Sequence, residues 1–193
     1  NLPIVTPNNL IDFYNWYDER KNQVINTLGK TPWKGLCIHS PEGDKLPSYY
    51  PNTPTGFDFK YQFPEIWDSC LQLPFKKLYL AHLWEQYIDV VPHKDPYNSP
   101  KGPTSFRIML INESDAPTFY FIDYKARKFD LKLPNDSNIF AFCNNQVMHG
   151  SKMPSNGRKV VLWINGELDE ERYQNLIQSS IEKYPDYVLK VMS

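Results

Sequence analysis

Apolar residues recur at near-helical spacing through Leu10, Phe13, Tyr14, Tyr17, Val24, Ile25 and Leu28, which predicts a first helix over residues 7–28. Asn8 or Asn9 can cap it and Gly29 can end it. The period is then lost. Residues 30–64 are rich in Pro, Gly, Ser, Asn and Tyr, with a short strand candidate at Leu36-Cys37-Ile38, and read as a long connection that either forms part of a substrate pocket or covers the core. A short helix follows over residues 64–71, opening on a proline whose missing N–H is harmless there. From Lys76 to Trp84 the period becomes two: Leu78, Leu80, His82 and Trp84 share one face, and Tyr79, Ala81 and Leu83 the other. That strand is expected to run on into Pro92-His93-Lys94-Asp95.

Further strands are expected at residues 104–111, 118–124, 130–133, 138–142, 146–151 and 158–165. Turn chemistry separates them, as at Asn112-Glu113-Ser114-Asp115, Pro134-Asn135-Asp136 and Pro154-Ser155-Asn156-Gly157. A last helix begins at Asp169, whose carboxylate caps it, and runs to about Lys183. Short strands with frequent turns and flanking helices give a mainly β fold, a sandwich or jelly roll, without any repeat of solenoid period.

A chain of 193 residues fits one domain: a helix and covering loops over 1–75, a β core over 76–166 and a helix over 167–193. The 17 prolines against 8 glycines work against long helices and favour short strands and rigid turns. A formal net charge of −1 gives no electrostatic case for nucleic acid or an anionic membrane as partner. Cys37, Cys70 and Cys143 are odd in number and lack a C-x-x-C pattern, so neither a disulfide framework nor a zinc site is expected. Without a membrane-length apolar run or a signal-peptide pattern, the expected setting is cytoplasmic or otherwise intracellular and soluble.

The chemistry concentrates at His93-Lys94-Asp95 and His149. Two imidazoles and one carboxylate form the set that holds non-haem Fe(II) on one face and leaves positions open for substrate and oxygen. An isolated His-x-Asp is weak evidence, because the tripeptide recurs in solvated loops. Arg158 follows the Asn156-Gly157 turn. It is either a solvated charge after that turn or a guanidinium aimed, with Val160 and Leu162, into a cavity where it could clamp a carboxylate. Arg107 is either on the solvent face of a half-buried strand or a second such clamp inside the barrel. His82 could be a ligand but reads more simply as a hydrogen-bonded strand residue, and His39 as a loop histidine. Trp163 and Phe142 read as core residues that could also line the cavity.

His93, Asp95, His149 and Arg158, in this order and on strands, resemble the signature of the Fe(II)- and 2-oxoglutarate-dependent dioxygenases. The likeness covers about residues 76–166. Pro92-His93-Lys94-Asp95, the Arg107 strand and residues 140–145 are similar to the aspartyl/asparaginyl and free-proline hydroxylase branch, although Met109 stands where that branch has a second-strand His. The resemblance implies a double-stranded β-helix with His93, Asp95 and His149 as iron ligands. It also implies Arg158 on the distal carboxylate of 2-oxoglutarate, with Arg107 as a further cosubstrate contact. The implied reaction converts 2-oxoglutarate and molecular oxygen to succinate and CO2 while hydroxylating a C–H bond of a free amino acid or a peptide or protein residue. Two other readings keep the fold: a non-catalytic metal-binding jelly roll, and a cupin-type isomerase, which generally needs more histidines than these four.

Overall fold

The computed structural model describes residues 4–21, 33–43, 45, 54–95, 105–113 and 117–187. Helix α1 (Leu10–Lys21) is followed by β1 (Trp33–His39), α2 (Phe59–Gln62) and α3 (Pro64–Leu71). Then come β2 (Phe75–Gln86), β3 (Val90–His93), β4 (Ser105–Asn112), β5 (Phe119–Ile122), β6 (Lys128–Asp130) and β7 (Ile139–Ala141). β8 (Met148–Ser151), β9 (Lys159–Leu168), α4 (Glu170–Lys183) and a single 3-10 turn (Pro185–Tyr187) complete the order of the described elements. The described strands form two sheets with antiparallel pairing throughout, one ordered β1-β2-β9-β4-β7 and the other β3-β8-β5-β6.

Period-two alternation gives the larger sheet two distinct faces. On one, Leu83, Phe106, Ile108, Val160 and Leu162 pack against Phe13 and Tyr17 of α1 and Ile66 of α3. On the other, Met109 and Val161 join Phe119, Phe121, Phe140 and Phe142 in a second, aromatic cluster between the sheets. The functional residues stand beside this second cluster. A glycine helps to shape it: Gly35 is the register partner of Trp84, and a Cβ there would lie 2.6 Å from the indole. Its absence lets the Trp84 ring lie over β1.

Helix α3 and the Asp169 cap of α4 follow the sequence pattern, with Asp169 Oδ1 accepting from Arg172 N at 3.2 Å. Helix α1 begins two residues after Asn8, and Asn9 Oδ1 accepts from the N–H groups of Ile11 and Asp12. The expected continuation to Leu28 lies outside the described residues. Two expectations change. The stretch over 30–64 supplies an edge strand, because β1 pairs with β2 from Trp33 opposite Gln86 to His39 opposite Ala81; tertiary pairing extends what the local pattern gives only at 36–38. Nor does β2 run on to His93. Gln86 donates to the carbonyls of Ile88 at 2.9 Å and Ser151 at 3.0 Å, fixing a turn that carries the chain into the opposite sheet as β3. Among the described residues, no helix is long and apolar enough to cross a membrane.

Candidate metal centre

Strands β3 and β8 are neighbours, and their register sets His93 opposite His149. The two imidazole centroids are 4.4 Å apart. Gly150 permits the close packing behind them, because a Cβ there would overlap the Tyr120 hydroxyl. His93 Nδ1 lies 2.9 Å from the Val91 carbonyl and His149 Nδ1 3.0 Å from the Val147 carbonyl. A carbonyl only accepts, so each Nδ1 carries a proton and each Nε2 can present its lone pair. Both Nε2 atoms point toward Asp95, at 3.3 Å from Oδ1 for His93 and 3.9 Å from Oδ2 for His149.

Asp95 is itself held from two directions by Asn144. The Asp95 N–H donates to the Asn144 carbonyl at 3.0 Å, and Asn144 Nδ2 donates to Asp95 Oδ2 at 2.8 Å. Burial raises the Asp95 pKa, but the hydrogen bond from His93, the charges of His149 and Arg107, and the Asn144 amide outweigh it, leaving the carboxyl below its ordinary value. His93 is drawn upward by its hydrogen bond to Asp95 against the effect of burial, whereas burial pushes His149 down to about 4. His149 is thus neutral at pH 7. Phe142, 4.7 Å from it edge-on, and Phe119, stacked at 5.8 Å, form its apolar surround.

One donor atom from each of His93, Asp95 and His149 lies within 4.8 Å of the others. These three side chains can hold one divalent metal ion. The donor set is two neutral-capable imidazoles on fixed tautomers and one ionised carboxylate, all from rigid strand ends and a locked loop, which fits Fe(II) with positions left open. Such an ion would take the place of the proton that His93 shares with Asp95.

A cavity of about 250 Å³ opens beside the three, lined also by Trp84, Val90, Arg107, Phe119, Ser151, Val161 and Trp163. Arg107 therefore faces the cavity and not solvent. Its Nη2 is 3.9 Å from Asp95 Oδ2, and its guanidinium carbon lies 5.0 Å from the Trp163 ring centre. Burial pulls its pKa down to about 9, against the opposing pull of Asp95, and leaves it a cation at neutral pH. Among the described residues, none accepts a hydrogen bond from the buried Arg107 Nη1 or Trp163 Nε1. Each such donor costs about 1–3 kcal/mol.

Arg158 is not at the cavity, and its expected place there is corrected. β9 does not neighbour β8 but lies across the sandwich, in the larger sheet. Arg158 shares a face with Val160 and Leu162, as the alternation implies, but that face packs on α1. Its guanidinium donates to Glu85 Oε1 at 2.6 Å and to Asp18 Oδ1 at 2.7 Å, and lies 4.3 Å from the Tyr14 ring centre. Burial alone would lower its pKa, but the two carboxylates raise it above the ordinary value.

The next residue faces the other way. Lys159 is fully buried, and its ammonium donates to Ser151 Oγ in a very short contact and to the Thr118 carbonyl at 3.4 Å. Ser151 lines the cavity two residues beyond His149, and Gln86 Oε1 fixes it at 2.8 Å. Burial drives the Lys159 pKa down to about 7, only partly opposed by Asp89. The sequence carries a signal for Lys159: at period two it shares a face with Val161 and Trp163, and a lysine opening an apolar strand needs an anion or a polar cradle. Asn144 carried no comparable signal. His82 is buried between Trp84 and Trp163 and is not one of the grouped donors, while His39 lies on β1 against Trp67.

No protein-family model matches the chain, nor does any curated protein. Solved structures similar to it include the following two. One is a Pseudomonas putida prolyl-4-hydroxylase, at 9% identity and a TM-score of 0.45, covering 78% of this chain and 80% of that one. The other is an oxidoreductase of the 2OG-Fe(II) oxygenase family from Burkholderia pseudomallei, at 11% identity and a TM-score of 0.42, covering 79% and 78%. At this distance the functional reading rests on the side chains themselves.

Proposed function

We propose that this protein is an Fe(II)- and 2-oxoglutarate-dependent dioxygenase that hydroxylates a C–H bond of an amino acid, free or within a peptide. The single observation that carries the reading is the convergence of His93, Asp95 and His149 beside a cavity lined also by Ser151, whose hydroxyl accepts from the buried Lys159. A strand order in which β2 to β9 pass between the two sheets supports a double-stranded β-helix, the fold the sequence resemblance implies. Bound iron with 2-oxoglutarate would supply the oxidising chemistry, with succinate and CO2 as co-products.

The protein's own contribution is placement. His93, Asp95 and His149 would hold the ion, and Asn144 keeps the Asp95 carboxylate turned toward it. Lys159, seated by Ser151 and Thr118, takes the role that the sequence resemblance gives to Arg158, pairing with the distal carboxylate of 2-oxoglutarate. A dianion entering there relieves the isolation of that ammonium and holds it protonated. Phe119, Phe142, Val161 and Trp163 exclude water from the reacting centre.

The test is succinate formation from 2-oxoglutarate, measured with and without Fe(II), in the wild type and in His149→Ala and Asp95→Ala. Wild type is expected to turn over only with iron, and both variants to lose Fe(II) binding while unfolding near the wild-type temperature. Iron-independent succinate formation, or turnover retained in both variants, would contradict the assignment.

A further inference from the structure

The two oxygens of the Asp95 carboxylate stand in different surroundings. Oδ1 faces the His93 imidazole, whose Nε2 is 3.3 Å away. Oδ2 accepts from Asn144 Nδ2 at 2.8 Å and has the Arg107 guanidinium beside it, with Nη2 at 3.9 Å. His149 Nε2 is equally far from Oδ2, but a neutral ring that keeps its proton at Nδ1 for the Val147 carbonyl has none to give there. An amide N–H and a cation thus both draw on Oδ2, and each competes with a metal ion for its lone pairs.

The arginine is fixed in this position. Arg107 on β4 is the register partner of Trp163 on β9, and its guanidinium carbon lies 5.0 Å from the Trp163 ring centre and 5.7 Å from that of Phe142. Among the described lining residues of the cavity Asp95 is the sole carboxylate, so it is the anion that Arg107 faces there. Asn144 and Arg107 differ in what they do to an ion held at Asp95. The neutral amide orients the carboxylate and leaves its charge intact. The guanidinium withdraws part of that charge and repels a divalent cation, with a force much larger inside a protein than in water.

Resting on that reading of the metal centre, we propose that Arg107 is a positioning residue that acts on the ion through Asp95. With Asn144 it keeps Oδ2 out of the coordination, so that Asp95 ligates through Oδ1 alone, and its charge loosens the hold of the three ligands on the ion. The first effect keeps open a coordination position that a two-oxygen carboxylate would fill. The second makes the site bind its ion more weakly than the same three side chains would without the arginine. Arg107 then has a task separate from the cosubstrate.

The test uses Mn(II) alone, with no 2-oxoglutarate present. Protein stripped of metal is titrated with the ion; its paramagnetic resonance signal when free gives the affinity, and line broadening in water enriched in the magnetic isotope of oxygen counts the waters on the bound ion. Six-coordinate Mn(II) with one donor atom from each of His93, Asp95 and His149 keeps about three waters, against about two if Asp95 gives both oxygens. The wild type is expected to show the larger count. Arg107→Met should bind Mn(II) at least about tenfold more tightly and carry one water fewer. Arg107→Lys, which retains the charge, should stay within about threefold of the wild-type affinity. An arginine that merely braced β4 against β9 would move affinity the other way, since its loss would loosen the site.

The smaller water count in the wild type overturns the proposal, as does Mn(II) binding in Arg107→Met that is unchanged or weaker. It is equally overturned if Arg107→Lys tightens binding as much as Arg107→Met does, because charge would then not be the cause. Should Arg107→Met not fold, the wild-type water count still decides whether Oδ2 is held out of the coordination. N-oxalylglycine, a non-reacting mimic of 2-oxoglutarate, is added last to the Mn(II)-loaded wild type. If it displaces no water, the oxygenase reading fails while the result on Arg107 stands; if the wild type binds no Mn(II), both fall.

Discussion

Adjacent residues on one strand take opposite roles here, and the difference is a single step of alternation. Arg158 turns toward α1, where Glu85 and Asp18 neutralise it. Lys159 turns between the sheets, where its ammonium donates to the Ser151 hydroxyl and the Thr118 carbonyl. This has a pH consequence. With its pKa lowered from 10.5 to about 7, Lys159 binds fewer protons in the folded chain than in the unfolded one between those values. Its contribution to stability therefore rises with pH across that window and is unfavourable below it. A dianionic ligand has the opposite preference, for the protonated form. Binding of 2-oxoglutarate to metal-loaded protein at pH 8 should take up close to one proton and weaken as pH rises from 7 to 9. Calorimetry in buffers of different ionisation enthalpy measures this directly, and binding at pH 8 without proton uptake would contradict the placement of Lys159 at the cosubstrate.

At the scale of elements, the ion-pair cluster on the helix side is the fastening between α1 and the larger sheet. Glu85 on β2 receives Arg158 and, at 2.6 Å, Lys21, which also reaches Asp18. Replacing Glu85 by Ala leaves two partly buried cations to share Asp18, a loss of roughly 3 kcal/mol for a broken pair of this kind. Chemical denaturation should show a decrease of this order with metal affinity retained. An unchanged midpoint would show that α1 is held by its aromatic face alone. The elements themselves were well marked in the sequence where local chemistry specifies them: the Asp169 cap, the proline opening of α3 and the two-residue period of β2 all correspond to observed elements. Pairing was less legible. The break at residues 87–89 depends on Gln86 reaching Ser151, 65 positions away, and the edge strand β1 depends on β2. No local pattern encodes such partners.

The same division holds for the whole molecule. His93, Asp95 and His149 could be picked out because a ligand set is a matter of residue type and order, and the structure brings them together. On the reading proposed here the cation that serves the cosubstrate is Lys159, one residue after Arg158, because order alone does not say which face of β9 turns toward α1; the packing of α1 on Val160 and Leu162 decides that. Asn144, Ser151 and Gln86 owe their places to contacts across the sandwich. Function on this reading is a property of the space between two sheets: one sheet presents the histidines, the other the cations, and α1 and α3 pack on the far face of the larger sheet.

The most direct test of that arrangement is an anaerobic titration of the purified protein with Fe(II) and 2-oxoglutarate, following the visible charge-transfer band that chelated 2-oxoglutarate gives with ferrous iron. The band is expected in the wild type and in Arg158→Met, and is expected to need far more 2-oxoglutarate, at least about tenfold, in Lys159→Met. Iron binding with no band in the wild type would contradict the central claim and leave a metal-binding β protein without the cosubstrate. A band insensitive to Lys159 but lost in Arg158→Met would return the cosubstrate to the helix-side arginine.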